Sequence, residues 1–244
     1  MTPPHGVADA AASVMTTTPT CVTIPSYLER AYWWAYVHPR AVRAFEREWL
    51  VNAILFGNYG RLRDLALAEL GEKIGGNTLQ IACVYGDLTP RLHRRLAPDA
   101  RLDVVDVLPI QLRNLAAKLP PDDTRVVLTN GDSSALACAD AVYDRVLLFF
   151  LLHEQPARVR RNTLAEAMRV VKPGGKIVIV DYHRPARWHP LRPLVRMIFR
   201  RLEPYAIDLW CDDVAAFLPP GAKPATLDKQ AYFGGLYQKL VLVR

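Results

Sequence analysis

The sequence predicts an α/β fold: a mostly parallel, seven-stranded sheet with helices on both faces and further helices ahead of it. Three observations carry this. From about residue 75, short β-branched runs alternate with amphipathic stretches, which specifies βαβ units and a sheet covered on both sides. Upstream of that point apolar and aromatic residues recur at helical spacing instead. At the far end LYQKLVLV (236–243) follows FGG too closely for a parallel crossover, so it closes a hairpin.

The elements follow in order. Residues 1–24 are rich in Ala, Thr and Pro and contain no Lys or Arg, which fits neither a secretory signal nor a mitochondrial presequence and reads as a disordered tail. The rest, 25–244, reads as a single domain. Residues 25–72 form a helical cap of two or three helices, with Pro39 placed to open one and Gly57 and Gly71 as stops. The core, 75–182, holds strands TLQIAC (78–83), RLDVVDV (101–107), RVVLT (125–129), YDRVLLFFLL (143–152) and KIVIVDY (176–182). Between them lie helical LTPRLHRRLA, LPIQLRNLAAKL and ARVRRNTLAEAMRVV, the last stopped by KPGG at 172–175. A basic amphipathic segment (183–203) and a hairpin (225–244) complete the chain.

Composition bounds the function. At 244 residues, 51% apolar and 23% charged, this is an ordinary globular chain with a sizeable core. No apolar run approaches the ~18 residues of a membrane span, LLFFLL (147–152) being the richest. The four cysteines stand singly with no CxxC pair, which argues for reduced thiols rather than a disulfide framework or zinc site. A net charge of +7 favours an anionic neighbour, nucleic acid or anionic lipid, or serves solubility alone.

Open parallel sheets bind ligands at the carboxyl ends of their strands, so the residues closing each strand are the candidates. Asp106, about 20 residues beyond the first turn, is placed to accept from a ribose diol. Asp132, in TNGDSS, can accept from an exocyclic amine such as adenine's, with Ser133 beside it. The first loop, within QIACVYGDLT (80–89), is where a dinucleotide site needs GxGxxG, because the pyrophosphate must approach bare backbone. Gly86 is present, but Ala82 and Val84 fill glycine positions and Tyr85 adds bulk. That argues against NAD or FAD and for an adenosyl ligand without a diphosphate, held by Gln80, Ala82, Val84, Tyr85, Gly86, Asp106, Asp132 and Ser133.

These features resemble the Rossmann-like class I S-adenosylmethionine-dependent methyltransferases over residues 75–183. At finer grain, YLERAYWWAYVHPRAVRAFEREWLVNAILFGNYGRLRD, ACVYGDLTPRL, VVDVLPIQLRNL, YDRVLLFFLLHEQP and VDYHRPARWHPLRPL are similar to the rhodoquinone biosynthesis protein family, with its Val-Tyr pair in the loop, over about 25–218. The resemblance implies conversion of ubiquinone to rhodoquinone by replacing a ring methoxy with an amino group. S-adenosylmethionine is then the amino donor and co-substrate, and a divalent metal, manganese by preference, is required.

On that reading Val84 and Tyr85 displace the cofactor's methionine end so that its α-amine, rather than its methyl, faces the quinone. With a reference pKa of about 7.7–8.0 that amine is partly neutral near pH 7. Tyr85, His153 and Glu154 are the catalytic candidates, Glu154 serving either as a base or as a helix cap before Pro156. His153, Asp181 and His183, at neighbouring strand ends, are candidate metal ligands. Tyr32, Tyr36 and His38, in an aromatic cluster with Tyr27, Trp33 and Trp34, are expected to lie over the quinone ring or, alternatively, to pack as core; the two adjacent Trp cannot face one side. Segment 183–201 carries six arginines and no acid, interleaved with Trp188, Leu191, Leu194, Val195, Met197, Ile198 and Phe199. That is the pattern of an interfacial helix on anionic lipid, or of a solvated basic face over a core helix. The expectation is a cytoplasmic enzyme peripheral to the inner membrane, acting on ubiquinone held there, with no nucleic-acid partner. The alternatives are a conventional quinone or phenol methyltransferase and a basic RNA-binding or RNA-modifying protein, the latter lacking any recognised RNA-binding motif.

Overall fold

A computed structural model describes residues 23–32 and 47–244. The expectations placed on residues 1–22 and on Trp33, Trp34, Tyr36, His38 and Pro39 lie outside the described residues. Among the described residues, three helices precede the sheet: α1 (Ser26–Tyr32), α2 (Glu48–Ile54) and α3 (Tyr59–Leu70). Gly57 and Gly71, at φ 77° and 108°, follow α2 and α3 in positive-φ conformations that an L side chain disfavours, which takes the chain out of each helix.

The alternating part reads β1 (Asn77–Ile81), α4 (Leu88–Arg94), β2 (Arg101–Asp106), α5 (Pro109–Ala116), β3 (Val126–Asn130), β4 (Tyr143–Phe149), α6 (Ala157–Val170) and β5 (Val171–Tyr182). Then come α7 (Arg192–Leu202), a short α8 (Asp208–Cys211) and the hairpin β6 (Thr226–Tyr232) and β7 (Tyr237–Val243). The seven strands lie in the order β3-β2-β1-β4-β5-β7-β6. β1 to β5 pair in parallel, while β7 runs antiparallel to both β5 and β6. The winding direction reverses between β1 and β4, so the strand ends on either side of that seam diverge and open a crevice.

Side-chain alternation builds the two layers. On β5, Val178 and Val180 face the layer of α3 and α4 with Leu62, Leu67 and Leu92, whereas Ile177 and Ile179 face α6 with Leu164 and Ala167. Buried on both faces, the central strands read as nearly continuous apolar runs.

Two strands end earlier than the sequence predicts, and for the same reason. Ala82 and Phe150 follow β1 and β4 at φ 71° and 51°, left-handed conformations that take the chain out of the sheet. KPGG also does something other than stop a helix. α6 already ends at Val170, because Val171 is extended and pairs with Tyr143. KPGG then forms an irregularity within β5, where the register shifts between Tyr143 and Arg145; Gly174, at φ 77°, donates to the Arg244 carbonyl at 2.7 Å.

Candidate active site

A cavity of about 610 Å³ opens at the carboxyl ends of the strands, at the seam where strand order reverses. It has two chemically different ends. At one, Ala82, Cys83, Val84 and Tyr85 of the β1 loop face Asp106, Gly131, Asp132 and Ser133. Asp106 is buried, its two oxygens accepting from the Cys83 N–H at 2.6 Å and the Leu108 N–H at 2.8 Å. The Cys83 thiol donates to it as well, so of a carboxylate's about four acceptor directions about one remains for a ligand hydroxyl. Burial pushes this carboxyl up to about 6, against the pull of those backbone N–H groups. Asp132 spends Oδ1 on the backbone and hydroxyl of Ser134, both at 2.8 Å, and lines the cavity. Ser133 is tied into the wall by Thr163 at 2.9 Å and Gln155 at 3.0 Å.

The loop itself departs from expectation in an instructive way. Ala82 keeps the glycine-like φ although it carries a methyl, and its carbonyl is held by the Gln80 amide at 3.0 Å. Gln80 is fully buried, accepts from Thr89 at 2.9 Å, and does not line the cavity, so it supports the loop from behind rather than meeting a ligand. Gly86, at φ 86°, is also outside the lining; a Cβ there would overlap the Tyr59 hydroxyl. That hydroxyl accepts from the N–H groups of Asp87 (2.9 Å) and Leu88 (3.2 Å) and donates to the Tyr85 carbonyl at 3.2 Å. Helix α3 thereby closes the amino end of α4, with Arg63 on Asp87 at 2.7 Å. N–H groups that would otherwise meet an anion at a helix start are already engaged. Tyr85 turns its ring to the cavity wall and accepts from Gln111 at 2.7 Å.

The other end is apolar and aromatic, walled by Phe150, Tyr182, Val195, Ile198, Phe199 and Leu202. Phe150 is bulky at positive φ, and the strain turns its ring against those of Phe149, His153, Tyr182 and Tyr237. Into this chamber is set a small group of ionisable side chains. His153 is buried and its Nδ1 donates to Asp181 at 2.9 Å. Burial opposes its charge, but Asp181, with Glu203 and Glu154, outweighs burial and raises the imidazole to about 9. The direction favours the imidazolium, a hydrogen-bond donor, over the neutral base near neutral pH. Glu154 lies 3.7 Å from Nε2 on the cavity wall, two residues ahead of Pro156, which precedes α6. Glu203, just past α7, is nearly buried on the cavity wall and its carboxyl is held above the ordinary range by burial.

The expected metal set does not assemble. Asp181 already accepts from Tyr182 N–H (2.7 Å) and His153 Nδ1 on one oxygen and from Leu152 N–H (2.8 Å) on the other. His153 has its Nδ1 committed to Asp181, which leaves only Nε2 facing outward. His183 is turned away, its Nδ1 on the Gly235 carbonyl at 2.8 Å, and does not line the cavity. Among the described residues no group of three or more His, Cys, Asp or Glu is placed to hold an ion. Asp181 is thus the residue that orients His153. Tyr32 is fully buried with Leu28 and Leu108, its hydroxyl toward Glu203; Tyr27, not Tyr32, lines the cavity.

Sequence reasoning missed Tyr59, Phe150, Phe199 and Glu203. Glu203 left a trace, being the first acid after the arginine-rich run. The others did not stand out among core aromatics.

Comparison with known proteins agrees with this layout. Residues 78–175 match the family model described as a methyltransferase domain. A ubiquinone/menaquinone biosynthesis C-methyltransferase UbiE of Paracoccus denitrificans is 30% identical over 149 residues, 60% of this chain and 58% of that protein. A demethylmenaquinone methyltransferase of Tropheryma whipplei is 28% identical over 178 residues, 73% of this chain and 70% of that protein. The chain therefore spans less than two thirds of the Paracoccus relative. Among solved structures, the N-methyltransferase NodS of Bradyrhizobium japonicum superposes with a TM-score of 0.54 at 14% identity, over 76% of this chain and 97% of NodS. The chain has the class I methyltransferase fold, and residues 78–175 resemble a methyltransferase domain.

Proposed function

We propose that this chain transfers a group from S-adenosylmethionine to the ring of a lipid quinone. The observation that carries the reading is the single cavity whose polar end offers Asp106 and Asp132 to an adenosyl group and whose other end is an aromatic chamber holding a buried cation. The same protein NodS also has a structure with S-adenosyl-L-homocysteine, and the two quinone-pathway relatives carry the substrate class in their names.

The residues present suit such a cofactor. Asp106 would accept from a ribose hydroxyl and the open oxygen of Asp132 from the adenine amine. The cofactor supplies a sulfonium methyl and an α-amine as the two transferable groups. Rings of Phe150, Tyr182 and Phe199, packed edge to face on one another, would present an apolar wall to a flat acceptor and exclude water. His153, held by Asp181, would donate from Nε2 to a quinone carbonyl oxygen as charge develops there, the role of a fixed oxyanion donor. Glu154 and Glu203 flank it as proton acceptors. No step is assigned to a metal, because its expected ligands are otherwise engaged.

The finer reading is amino transfer, ubiquinone to rhodoquinone, at the cytoplasmic face of the inner membrane. What supports it is the filled loop: Ala82, Val84 and Tyr85 carry side chains where a glycine turn would be bare, and Tyr59 accepts from the Asp87 and Leu88 N–H groups at the start of α4, which would push a methionine end aside. The second reading, transfer of the methyl to ring carbon, is favoured by the names of both relatives. One experiment separates them. Ubiquinone and a demethylated quinone are each incubated with cofactor labelled at the amino nitrogen and at the methyl carbon, and the extracted quinones are weighed by mass spectrometry. Heavy nitrogen in the ring establishes amino transfer, heavy carbon establishes methyl transfer, and neither label in any quinone overturns the proposal.

A further inference from the structure

Two helices from opposite ends of the chain flank the cavity. α2 contributes Leu50, Val51, Ala53 and Ile54, and α7 contributes Val195, Ile198, Phe199 and Leu202. Ile54 and Leu202 line the cavity and are also exposed, each at 44%, so they mark its rim. The apolar surface does not stop there. On α2, Trp49 stands four residues from cavity-lining Ala53, hence on the same face, and is 64% exposed. On α7, Leu194 extends the stripe of Ile198 and Leu202 outward, and Met197 beside it is 55% exposed. Trp188, just ahead of α7, is 79% exposed. Large apolar residues clustered round an opening, rather than scattered singly, mark an interaction surface.

The charge beside this rim has one sign. Arg192, Arg196 and Arg200 repeat at four-residue spacing along α7 and, with Arg201, line a shallow groove next to Met197. No acid occurs between His183 and Leu202. Apolar side chains at an opening with arginines alongside fit an anionic bilayer, the first inserting to the acyl boundary and the second meeting headgroup phosphates. No described helix is long and apolar enough to cross a membrane. The cavity volume lies within the ~300–1,000 Å³ of small-ligand sites, which leaves no room for a long isoprenoid tail once a cofactor and a ring are inside.

We propose that α2 and α7 form a two-sided rim that seats on an anionic bilayer, so that a prenylated quinone enters head first from the lipid while its tail stays in the membrane. This deepens the quinone reading and rests on it. The rim accounts for Trp49 and Ile54, which a basic interfacial helix alone would leave unexplained. It also makes turnover independent of tail length beyond the first units.

The test uses the full chain with vesicles of phosphatidylcholine, alone or with about a third phosphatidylglycerol, an anionic fraction that attracts clustered arginines. The protein is expected to float with the anionic vesicles and far less with the neutral ones. Trp49→Asp and Met197→Asp, neither of which lines the cavity, should each weaken flotation about tenfold or more, by removing an inserted apolar group. Both should keep S-adenosylhomocysteine binding and turnover of a tailless, water-soluble quinone, yet lose turnover of a long-tailed quinone in vesicles. No flotation of the parent protein, loss in only one of the two variants, or binding of RNA in place of vesicles would overturn the rim. Because tailless turnover reports on the active site alone, its absence would count against the proposed function and not against the rim.

Discussion

The two ends of the cavity are built on opposite principles. At the adenosyl end the chemistry is carried by strand-end carboxylates and backbone: Asp106 collects two N–H groups and Asp132 caps its own turn. At the acceptor end it is carried by charge sealed among rings: His153 and Asp181 are both buried, against Phe150 and Tyr182. On the proposed function, the first arrangement would recognise the adenosyl group. The second sets up a reaction, because a fixed cation in a water-poor chamber acts far more strongly on a developing charge than the same cation in water. Substitutions at the two ends should therefore separate binding from turnover.

The largest effect is expected at the acceptor end. Asp181→Asn keeps the shape but removes the charge that orients and ionises His153, and turnover should fall by about 10²–10³-fold, as when an oxyanion donor is lost. S-adenosylhomocysteine affinity, measured by calorimetry, should stay within about twofold of the parent, since none of the disturbed contacts reach the adenosyl end. His153 also gives a pH signature. Its folded-state value of about 9 exceeds the unfolded ~6.5, so its contribution to stability is complete below about 6.5 and is lost as pH rises through 9. Thermal melts should show the parent losing stability over that window and His153→Gln losing none of it there. An equal pH slope in both proteins would remove the buried pair from the account.

At the adenosyl end the change should be in binding and smaller. Asp106 accepts from a ribose hydroxyl only as a carboxylate, and its carboxyl sits at about 6. S-adenosylhomocysteine affinity should weaken as pH falls through 6, without a matching change between 7 and 8. Asp106→Asn should cost about 10–100-fold in Kd, the worth of hydrogen bonds to a charged group, and abolish the acid dependence. A Kd that ignores both pH and the substitution would place the ribose elsewhere.

The same contrast governs what the sequence disclosed. The alternation of strands and helices, the closing hairpin and the positions of Asp106 and Asp132 follow from periodicity and from the rule that strand ends hold ligands, both local in sequence. His153 and Asp181 were visible as strand-end residues, but their relation was not. Whether two such side chains share a metal or a proton depends on whether their lone pairs are already taken, and the donors that take them, the N–H groups of Leu152 and Tyr182, carry no side-chain signature. His183 looked equivalent to His153 and is turned to the Gly235 carbonyl by a hairpin more than fifty residues away. Gly86 was read as a ligand contact because glycine signals close approach. The approaching group is instead Tyr59, from a helix whose docking no pattern in the loop announces.

The smallest effect bears most directly on why the loop is filled. Ala82 sits at φ 71°, which costs an L-residue about 1–2 kcal/mol, whereas glycine there costs about 0.5–1 kcal/mol in chain entropy. Ala82→Gly should thus raise stability by no more than about 1.5 kcal/mol, readable as a small rise in the denaturant midpoint with an unchanged slope. A chain that forgoes that gain keeps the methyl for some other reason, and its place on the cavity wall points to the ligand. If the methyl helps to displace the cofactor's methionine end, the stabilised variant should transfer less amino nitrogen per turnover and more methyl carbon. A variant that gains stability and leaves the label ratio untouched would mean that Ala82 shapes the loop without steering the cofactor, and would shift the burden of the pose onto Val84 and Tyr85.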